Sequence, residues 1–459
     1  MVCKYVEDTI VAIATPMGEG AIGIVRLSGQ SAIEIVSRIF ISSRGRDIRD
    51  GRGRIFHGHI SDGNEVLDEV LVHVMREPRT YTCEDVVEVN GHGGLGPLRA
   101  VLELTLAHGA RLAAPGEFTK RAFLNGRIDL AQAEAVIDRV RAQTRAALQA
   151  ANAAAGGTLS KSIYEIRDVV AQALSRAEAA VDFPEDDLPE LLDEAWRQSL
   201  ARVRRRIADL LNTADAGRLY REGAAVAIAG RPNVGKSSLF NALLRDARAI
   251  VTEHPGTTRD VIQEVISVSG IPVRLSDTAG LRDTDDDVER LGVEVARGTL
   301  QNADVILLVL DSSVPFVEAD HTLAREMEAL EVPVLLVLNK LDLDPRAAPP
   351  KWSAGCADIC RVSAKTGEGL AALEERLGRL LLHGQVASLE RGLVTRAHQC
   401  DSLRRAAASL DRVLENIEAS PELLSIDLRE ALQSLGEITG ETTPDDILKQ
   451  IFSSFCIGK

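Results

Sequence analysis

The sequence predicts a multidomain protein of α/β and all-α architecture, and three observations support this. The chain has 459 residues, which suggests roughly two to four domains. Up to about residue 124, short strand-like runs alternate with glycines, whereas helical spacing dominates from about 130 to 215 and again after 386. Between the helical stretches, apolar strand-like runs are followed by glycine-containing or polar loops. We therefore expect four segments, at 1–124, 125–222, 223–380 and 381–459.

The first segment is expected to be a small α+β domain. Strand-like runs lie at 9–14, 22–27, 70–75 and 86–89, and a helical stretch extends from 95 to 106.

The second and fourth segments are expected to form one all-α domain, interrupted by the third. Helix breaks are predicted at Gly156-Gly157, Phe183-Pro184, Pro421 and Pro444. Hydrophobic stripes before and after the insertion would then pack together. Two unrelated helical modules are the alternative.

Composition excludes several classes of protein. The net charge of −15 argues against a globally basic nucleic-acid binder. The run Arg204-Arg205-Arg206 is expected to be a solvated helix face, with an RNA phosphate contact as the minority interpretation. No stretch reaches the ~18 apolar residues of a membrane span, and no signal peptide is visible, so we expect a cytoplasmic protein. The six cysteines show no paired framework, and Cys356 and Cys360 lack further zinc ligands nearby.

The most informative segment is GRPNVGKSS, from Gly230 to Ser238, which fits the phosphate-binding pattern G-x-x-x-x-G-K-S. An apolar run at 224–229 predicts a strand before it, and 239–244 predicts a helix after it. Backbone N–H groups and the helix dipole would face a phosphate there. Lys236 would meet the terminal phosphates, and the Ser237 hydroxyl can bind Mg²⁺.

Three later segments predict that the base is guanine. Asp277-Thr278-Ala279-Gly280 follows a strand-like run at 273–275, Asn339-Lys340-Leu341-Asp342 follows one at 334–338, and Ser363-Ala364-Lys365 comes next. This order matches a guanine-nucleotide-binding domain of the Ras-like P-loop type. The Asp342 carboxylate can accept two hydrogen bonds from guanine, whereas adenine would leave it unpaired.

Leu281 stands where Ras-type proteins carry the glutamine that orients the attacking water. Glu289 could take that role, although the sequence around it, taken alone, favours a surface charge on a helix. Asn233 could bind a monovalent cation together with carbonyls of 251–258, although asparagine is common in turns for conformational reasons.

Several blocks together resemble the MnmE (TrmE) family of tRNA modification GTPases. The GTPase blocks are GRPNVGKSSL, PGTTRD at 255–260, DTAGLR at 277–282 and VERLG at 288–292. Blocks at 8–29, 81–94 and 115–136, and the terminal FCIGK, resemble the same family. The resemblance covers essentially the whole chain, and it implies a helical domain interrupted by a GTPase domain.

The resemblance implies a 5-formyl- or methylene-tetrahydrofolate in the N-terminal domain, which would also mediate homodimerisation. Folate contacts would fall on Arg26, Glu88, Arg127 and Lys459. The family usually has lysine where Arg127 stands, and a planar guanidinium differs from a point ammonium. Cys456 would contribute to the modification chemistry; whether it is a nucleophile stays open.

The resemblance also implies the metal sites and the catalytic residues of GTP hydrolysis. Mg²⁺ would be bound by Ser237 and Thr258, and K⁺ by Asn233, Thr252, His254 and Thr257. Catalysis would use Glu289 and Lys236. The residues expected to contact GTP are Asn233, Val234, Gly235, Lys236, Ser237, Ser238, Thr252, Glu253, His254, Pro255, Gly256, Thr257, Thr258, Asp277, Thr278, Ala279, Gly280, Asn339, Lys340, Asp342, Ser363, Ala364 and Lys365.

The activity implied is that of the GTP-hydrolysing subunit of a complex that modifies C5 of tRNA wobble uridine 34. The partner would be the FAD-binding protein MnmG (GidA), and the folate would donate the one-carbon unit of an aminomethyl-type group. GTP hydrolysis would gate the chemistry by moving two GTPase domains. The alternatives are a ribosome-assembly GTPase, whose usual basic RNA-binding appendage is not visible, and a signalling switch that holds GTP for long periods.

Overall fold

The structure is a computed structural model that describes residues 8–50, 54–182, 192–246, 263–277, 298–343, 349–384, 392–416 and 419–459. The chain forms two compact units. The first contains Met1–Val140, Ala154–Trp196 and Ala408–Lys459, and the second contains Arg141–Ala153 and Arg197–Ala407.

The N-terminal domain is a seven-stranded sheet with helices on its faces. Strand order is β3-β4-β5-β6-β2-β1-β7, and all neighbours are antiparallel except β1 and β7. Its elements are β1 Ile10–Ile13, β2 Ile22–Ser28, α1 Ala32–Ile39, β3 Phe40–Ser42, β4 Arg54–Ser61, β5 Val66–Met75, β6 Val86–His92, α2 Leu95–Ala107, β7 Arg111–Leu112 and α3 Glu117–Leu124.

Alternation along the strands decides which face of this sheet is buried. In β5, Val70, Val72 and Val74 are buried, whereas the intervening residues are partly or fully exposed. These valines pack in one core with the apolar faces of α1 and α2. The opposite face carries Arg26 on β2 and Glu88 on β6, which are direct cross-strand neighbours.

A buried ionic cluster fastens the beginning of β1 to α3. The Arg121 side chain is only 6% exposed and contacts three carboxylates. Its Nη2 donates to Asp8 Oδ1 at 2.6 Å and to Glu117 Oε1 at 3.2 Å, and its Nη1 donates to Glu84 at 3.2 Å. Three segments distant in sequence therefore depend on one guanidinium.

Helices follow the N-terminal domain. They are α4 Leu130–Arg141, α5 Arg145–Ala155, α6 Thr158–Asp182, α7 Glu194–Leu211 and α8 Ala214–Glu222. The break predicted at Gly156-Gly157 is confirmed between α5 and α6. The break predicted at Phe183-Pro184 lies outside the described residues.

The inserted domain is a six-stranded sheet in the order β13-β12-β11-β8-β10-β9, parallel except for the β9–β10 hairpin. Its elements are β8 Ala224–Ala229, α9 Lys236–Asp246, β9 Gln263–Val268, β10 Ile271–Asp277, β11 Val305–Asp311, α10 Glu318–Glu328, β12 Val334–Asn339, β13 Asp358–Arg361 and α11 Leu370–Leu381. One core lies between the sheet and α9 and α11, and a second lies on the α10 side. Burial on both faces explains the unbroken apolar runs of β11 and β12.

Three more helices end the chain: α12 Ala397–Glu415, α13 Pro421–Thr439 and α14 Asp445–Ser453. Pro421 is the first residue of α13 and Pro444 directly precedes α14, which confirms both predicted breaks. Within the first unit, α13 packs along α6, which confirms that stripes before and after the insertion meet. An ion pair of 2.6 Å between Arg429 and Glu178 links the same two helices.

The predicted fold class is confirmed: an α+β domain leads, and an all-α domain is interrupted by an α/β domain. The predicted strands at 9–14, 22–27, 70–75 and 86–89 are all present. Sequence reasoning missed α1 and β4. The signal for α1 was the spacing of Ile33, Val36 and Ile39, all of which are buried against the sheet.

We expect Arg121→Leu to destabilise the first unit. The carboxylates that contact Arg121 are themselves mostly buried, and losing their cation should lower the free energy of unfolding by about 3–5 kcal/mol. Thermal unfolding of the full chain measures the effect. Arg99→Leu is the control because the Arg99–Glu103 pair is exposed, and its loss should cost less than about 1 kcal/mol. Equal effects of the two substitutions would contradict the role of the cluster.

The same cluster has a pH signature. Burial alone would raise the pKa of Glu117, but hydrogen bonds from Arg111 and the Ala114 amide, with Arg121 contributing, hold it below its usual value. A lowered pKa stabilises the fold above the unfolded value of about 4 and loses that stabilisation as pH falls. Against the effect of burial, Arg121 also contributes, after Arg111, to the lowered pKa of Asp8. The Arg121→Leu protein should therefore lose part of this acid-dependent stabilisation, and its stability should fall less than that of the wild type on acidification.

Candidate nucleotide-binding site

Four loops meet at the carboxyl edge of the second sheet. Strands β8, β11 and β12 end at Ala229, Asp311 and Asn339, and β13 is followed shortly by Ser363. Because these strands are parallel and adjacent, the loops after them are neighbours.

The loop from Gly230 to Gly235 has a backbone that few residue types adopt. Gly235 has φ 97°, and a Cβ there would lie 2.3 Å from Asn339 Nδ2. Asn233 has φ 65°, in the left-handed region that asparagine tolerates better than most residues. Asn233 thus has a conformational role in the loop, whether or not it binds a cation. The loop leads directly into α9, whose first residue is Lys236.

The ammonium group of Lys236 lies over this loop. Its Nζ donates to the Gly230 and Arg231 carbonyls, both at 2.8 Å, and the residue is only 6% exposed. A buried cation held beside the N-terminus of α9 matches the charge of a phosphate.

Asn339 joins the phosphate loop to the loop after β13. Its Nδ2 donates to Val234 O at 3.0 Å, and its Oδ1 accepts from the Ala364 amide at 3.0 Å. Its own carbonyl accepts hydrogen bonds from the Ser312 amide and hydroxyl. Asn339 is 2% exposed, so it lies under the surface of the site, where it holds the two loops in position.

Lys340 is held in place by Asp311, at 2.6 Å between Nζ and Oδ2. Burial alone would raise the pKa of Asp311, but hydrogen bonds from Lys340 and Ser313 outweigh it, so the pKa lies below its usual value. The carboxylate is therefore charged at neutral pH and keeps Lys340 oriented.

The Asp342 carboxylate lies at the rim of the site. It is exposed, and its Oδ1 accepts a hydrogen bond of 2.7 Å from the Ser363 hydroxyl. A cavity of about 700 Å³ lies between the phosphate loop and this rim, which is large enough for a nucleotide. The cavity, called the nucleotide cavity below, is lined by Gly235, Ser238, Asn241, Ala242, Arg245, Asn339, Lys340, Asp342, Leu343, Ala364, Lys365, Thr366, Gly367 and Leu370.

Arg231, also in the phosphate loop, pairs with Asp320 of α10 at 2.5 Å, and Asp320 is 1% exposed. The same carboxylate accepts from the Val317 amide and so caps α10. The sequence motif gave no sign of this contact, since the two residues lie 89 positions apart.

Some predicted site residues lie outside the described part of the chain. They are Thr252, Glu253, His254, Pro255, Gly256, Thr257, Thr258, Thr278, Ala279, Gly280 and Glu289. Asp277 is the last residue of β10 and is in register with Ile228 of β8. Ile228 lies two residues before the phosphate loop begins at Gly230.

Two of the predicted folate residues, Arg26 and Glu88, are in direct contact, and the backbone next to a third, Lys459, lies beside them. Arg26 Nε donates to Glu88 Oε1 at 2.8 Å, and Arg26 Nη1 donates to the Gly458 carbonyl at 3.3 Å, one residue before Lys459. The Arg26 guanidinium also lies over the Phe118 ring, 5.8 Å from its centre.

Arg127 lies over a different ring, that of Tyr81, 4.9 Å from its centre, and donates to the Tyr81 carbonyl at 3.0 Å. Tyr81 packs against the small apolar cluster that contains Phe118, so Arg127 and Arg26 each lie over an aromatic ring associated with that cluster. Cys456 is exposed, and its carbonyl accepts from the Gly116 amide at 3.3 Å. Sequence reasoning missed Tyr81 and Phe118, although both lie inside the blocks that carry the resemblance.

Among the described residues, no group of three or more His, Cys, Asp or Glu side chains is arranged to bind a metal ion. In the same part of the chain, no helix has the length and apolar character needed to cross a bilayer.

We expect Asn339→Ala to weaken nucleotide binding by about tenfold or more. The change leaves the Val234 carbonyl and the Ala364 amide without their partner, and each buried unpaired group costs about 1–3 kcal/mol. Titration with a fluorescent GDP analogue measures the loss. Asn241→Ala is the control because Asn241 also lines the cavity but is exposed. Unchanged affinity in Asn339→Ala would show that the two loops are positioned without it.

The chain is similar along its whole length to proteins of one family. Residues 130–456 match the family described as the MnmE helical domain, and residues 9–127 match the N-terminus of the GTP-binding protein TrmE. The chain is 46% identical to the tRNA modification GTPase MnmE of Geobacillus kaustophilus, over 98% of this chain and 99% of that protein. It is 48% identical to the protein of the same name from Heliobacterium modesticaldum, over 99% and 100%.

Among solved structures, the G domain of the T. maritima FeoB iron transporter is 30% identical, covers 34% of this chain and 98% of that chain, and has a TM-score of 0.27. The full-length relatives and the match over 130–456 show that the chain belongs to the MnmE family of tRNA modification GTPases.

Proposed function

We propose that this protein is the GTP-hydrolysing subunit of a complex that modifies tRNA wobble uridine 34 at C5. The product would carry an aminomethyl- or carboxymethylaminomethyl-type group, and a tetrahydrofolate would donate the one-carbon unit. Membership of the MnmE family supports GTP hydrolysis in tRNA modification.

GTP binding is supported by two groups of residues, one at each end of the nucleotide cavity. At one end, Lys236 and the N-terminus of α9 offer positive charge and backbone N–H groups. At the other, Ser363 holds the Asp342 carboxylate where two guanine N–H donors can meet it. Adenine has no such pair of donors, which supports selection of guanine.

The residues proposed to bind metal ions offer suitable oxygen ligands. Ser237 is the second residue of α9, beside Lys236, and Thr258 would complete the protein ligands of a Mg²⁺ ion. Asn233 would bind K⁺ together with Thr252, His254 and Thr257. Bound cations supply charge stabilisation to the phosphates, and Glu289 is proposed to orient the attacking water, because Leu281 cannot.

The chemistry of the N-terminal residues fits a folate. Arg26 and Glu88 place a cation and an anion side by side next to the Phe118 ring. A pterin edge carries hydrogen-bond donors and acceptors, and a glutamate tail carries carboxylates, so both kinds of group have partners here. Arg127 and Lys459 would add positive charge, and Cys456 is exposed enough to meet a substrate.

We propose domain boundaries at 1–124, 125–222, 223–380 and 381–459, a cytoplasmic homodimer, and a complex with the FAD-binding protein MnmG (GidA). GTP-dependent pairing of the GTPase domains would gate the modification chemistry.

The direct test is the nucleoside content of tRNA from cells that lack this protein. We expect the C5 modification of uridine 34 to disappear, and the wild-type gene to restore it, as measured by mass spectrometry of digested tRNA. Glu289→Ala should keep GTP affinity, lower hydrolysis about 100-fold or more, and fail to restore the modification. Fully modified tRNA in the deletion strain, with the protein found on ribosomal subunits, would replace this function with ribosome assembly.

GTP turnover should be faster in KCl than in NaCl at equal ionic strength, by about tenfold or more, because K⁺ would stabilise the charge that develops on the phosphates. Asn233→Ala should bring the KCl rate down to the NaCl rate. Equal rates in the two salts would exclude a specific potassium site.

Arg26→Ala should weaken binding of 5-formyltetrahydrofolate by about 10- to 100-fold, because a hydrogen bond with a charged partner contributes about 1.5–3 kcal/mol. Calorimetric titration of the full chain measures this. Arg38→Ala is the matched control, since Arg38 is an exposed arginine of the same domain, paired with Glu34. If wild-type protein shows no saturable binding, the folate part of the proposal fails while GTP hydrolysis stands.

A further inference from the structure

Asp320, in the first turn of α10, is a buried carboxylate that belongs to none of the motifs that predict nucleotide binding. Its side chain is 1% exposed. Both of its oxygens have partners: Oδ1 accepts from Arg231 Nε at 2.5 Å, and Oδ2 accepts from the Val317 amide at 2.9 Å. A carboxylate removed from water is costly unless a cation and hydrogen bonds compensate it, so the Arg231 side chain is strongly favoured in this position.

The backbone of Arg231 also holds Lys236. The Lys236 ammonium donates to the carbonyls of Gly230 and Arg231, both at 2.8 Å. The residue whose side chain pairs with Asp320 is therefore one of the two whose carbonyls orient the ammonium group. A shift of Arg231 would move its carbonyl, and Lys236 with it.

The phosphate loop is fixed at both of its ends by other contacts. Gly230 lies against β11, because a Cβ there would come within 2.5 Å of the Val309 carbonyl. At the other end, the Val234 carbonyl accepts from Asn339 Nδ2 at 3.0 Å. Between these two points, the ion pair with α10 supplies a third anchor through the Arg231 side chain.

The segment that leads into α10 is itself tied to the sheet. Ser312, which directly follows β11, donates its amide and its hydroxyl to the Asn339 carbonyl, at 2.9 and 2.7 Å. The Asp320 amide donates to the Val317 carbonyl at 2.8 Å, and its side chain accepts from the Val317 amide. The carboxylate is therefore presented to Arg231 from a fixed base.

We propose that Asp320 is a positioning residue for GTP hydrolysis. By holding Arg231, it fixes a carbonyl against which Lys236 is oriented toward the phosphates. A preorganised cation stabilises the charge that develops on the phosphates, and a misplacement of about 1 Å can cost about 100-fold in rate. This role depends on the proposed GTP hydrolysis, but not on the modified position in the tRNA or on the folate.

A helix cap is the simpler role for Asp320, and variants of Arg231 separate the two roles. Arg231→Ala leaves the hydrogen bond between Asp320 and the Val317 amide in place, so a role limited to capping predicts an unchanged rate. If Asp320 acts through Arg231, kcat for GTP should fall about tenfold or more in Arg231→Ala. KM should change less than about threefold, because the loss falls mainly on the transition state. Unchanged kcat in this variant, or a change confined to KM, would overturn the proposal.

Asp320→Asn completes a double-mutant cycle measured by steady-state GTP hydrolysis of the full chain. Asparagine has one side-chain oxygen, so it can accept from Arg231 or from the Val317 amide but not from both. It should lower kcat about threefold or more in the wild type, and less than about twofold when Arg231→Ala is already present. Glu318→Gln is the control, because Glu318 is an exposed carboxylate of the same helix, paired with Arg325, and it should leave kcat unchanged. Equal effects of Asp320→Asn in the two backgrounds would show that Asp320 does not act through Arg231.

Arg231→Lys separates the positioning role from a loss of folding, because it keeps a cation beside the buried carboxylate. Its kcat should exceed that of Arg231→Ala by about threefold or more and stay below that of the wild type, since a point ammonium replaces a planar guanidinium. Melting curves show which variants are folded at the assay temperature, and Arg231→Gln, which keeps a hydrogen-bond donor, replaces the alanine variant if that one unfolds. A lysine variant no more active than the neutral one would refute the positioning role. That outcome would leave the nucleoside analysis of tRNA, and the function it tests, untouched.

Discussion

The amide side chain of Asn339 is the interaction on which the nucleotide site depends. A buried amide can donate and accept at once, and here both capacities are used on backbone groups of two different loops. The contact also explains why position 235 requires glycine, because a Cβ there would occupy the space of the amide nitrogen. The geometry of the phosphate loop is thus decided as much by the residue that ends β12 as by its own sequence.

The same principle, a polar group that connects distant segments, organises the N-terminal domain. Arg121 gathers carboxylates from three segments, and Arg26 reaches the carbonyl of Gly458, which is 432 positions away. Gly458 has φ 89°, and a Cβ there would meet the Ile13 carbonyl at 2.6 Å. The last residues of the chain therefore lie against β1 as part of the domain that begins it.

The contiguous motifs could be read from the sequence because their chemistry is local. The run 230–238 carries its glycines, its lysine and its hydroxyl within nine consecutive residues. The residues that precede Gly230 and Asn339 are short, continuous apolar runs, as expected for strands buried on both faces. The contacts of Arg231 with Asp320 and of Arg26 with Gly458 could not be read in this way. They join residues far apart in the chain, and a charged side chain alone does not indicate its partner. Tyr81 and Phe118 were overlooked for a related reason, since single aromatic residues look like ordinary core until their neighbours are known.

The two tryptophans of the chain lie in different environments. Trp196 belongs to the first unit, is 1% exposed and donates its indole N–H to the Ala173 carbonyl at 3.1 Å, whereas Trp352 belongs to the second unit and lines an apolar cavity. Indole emission shifts to longer wavelength when water reaches the ring, so each unit carries its own optical reporter. Replacing either tryptophan by phenylalanine would leave a single emitter, and heating the two variants would show which half of the molecule melts first.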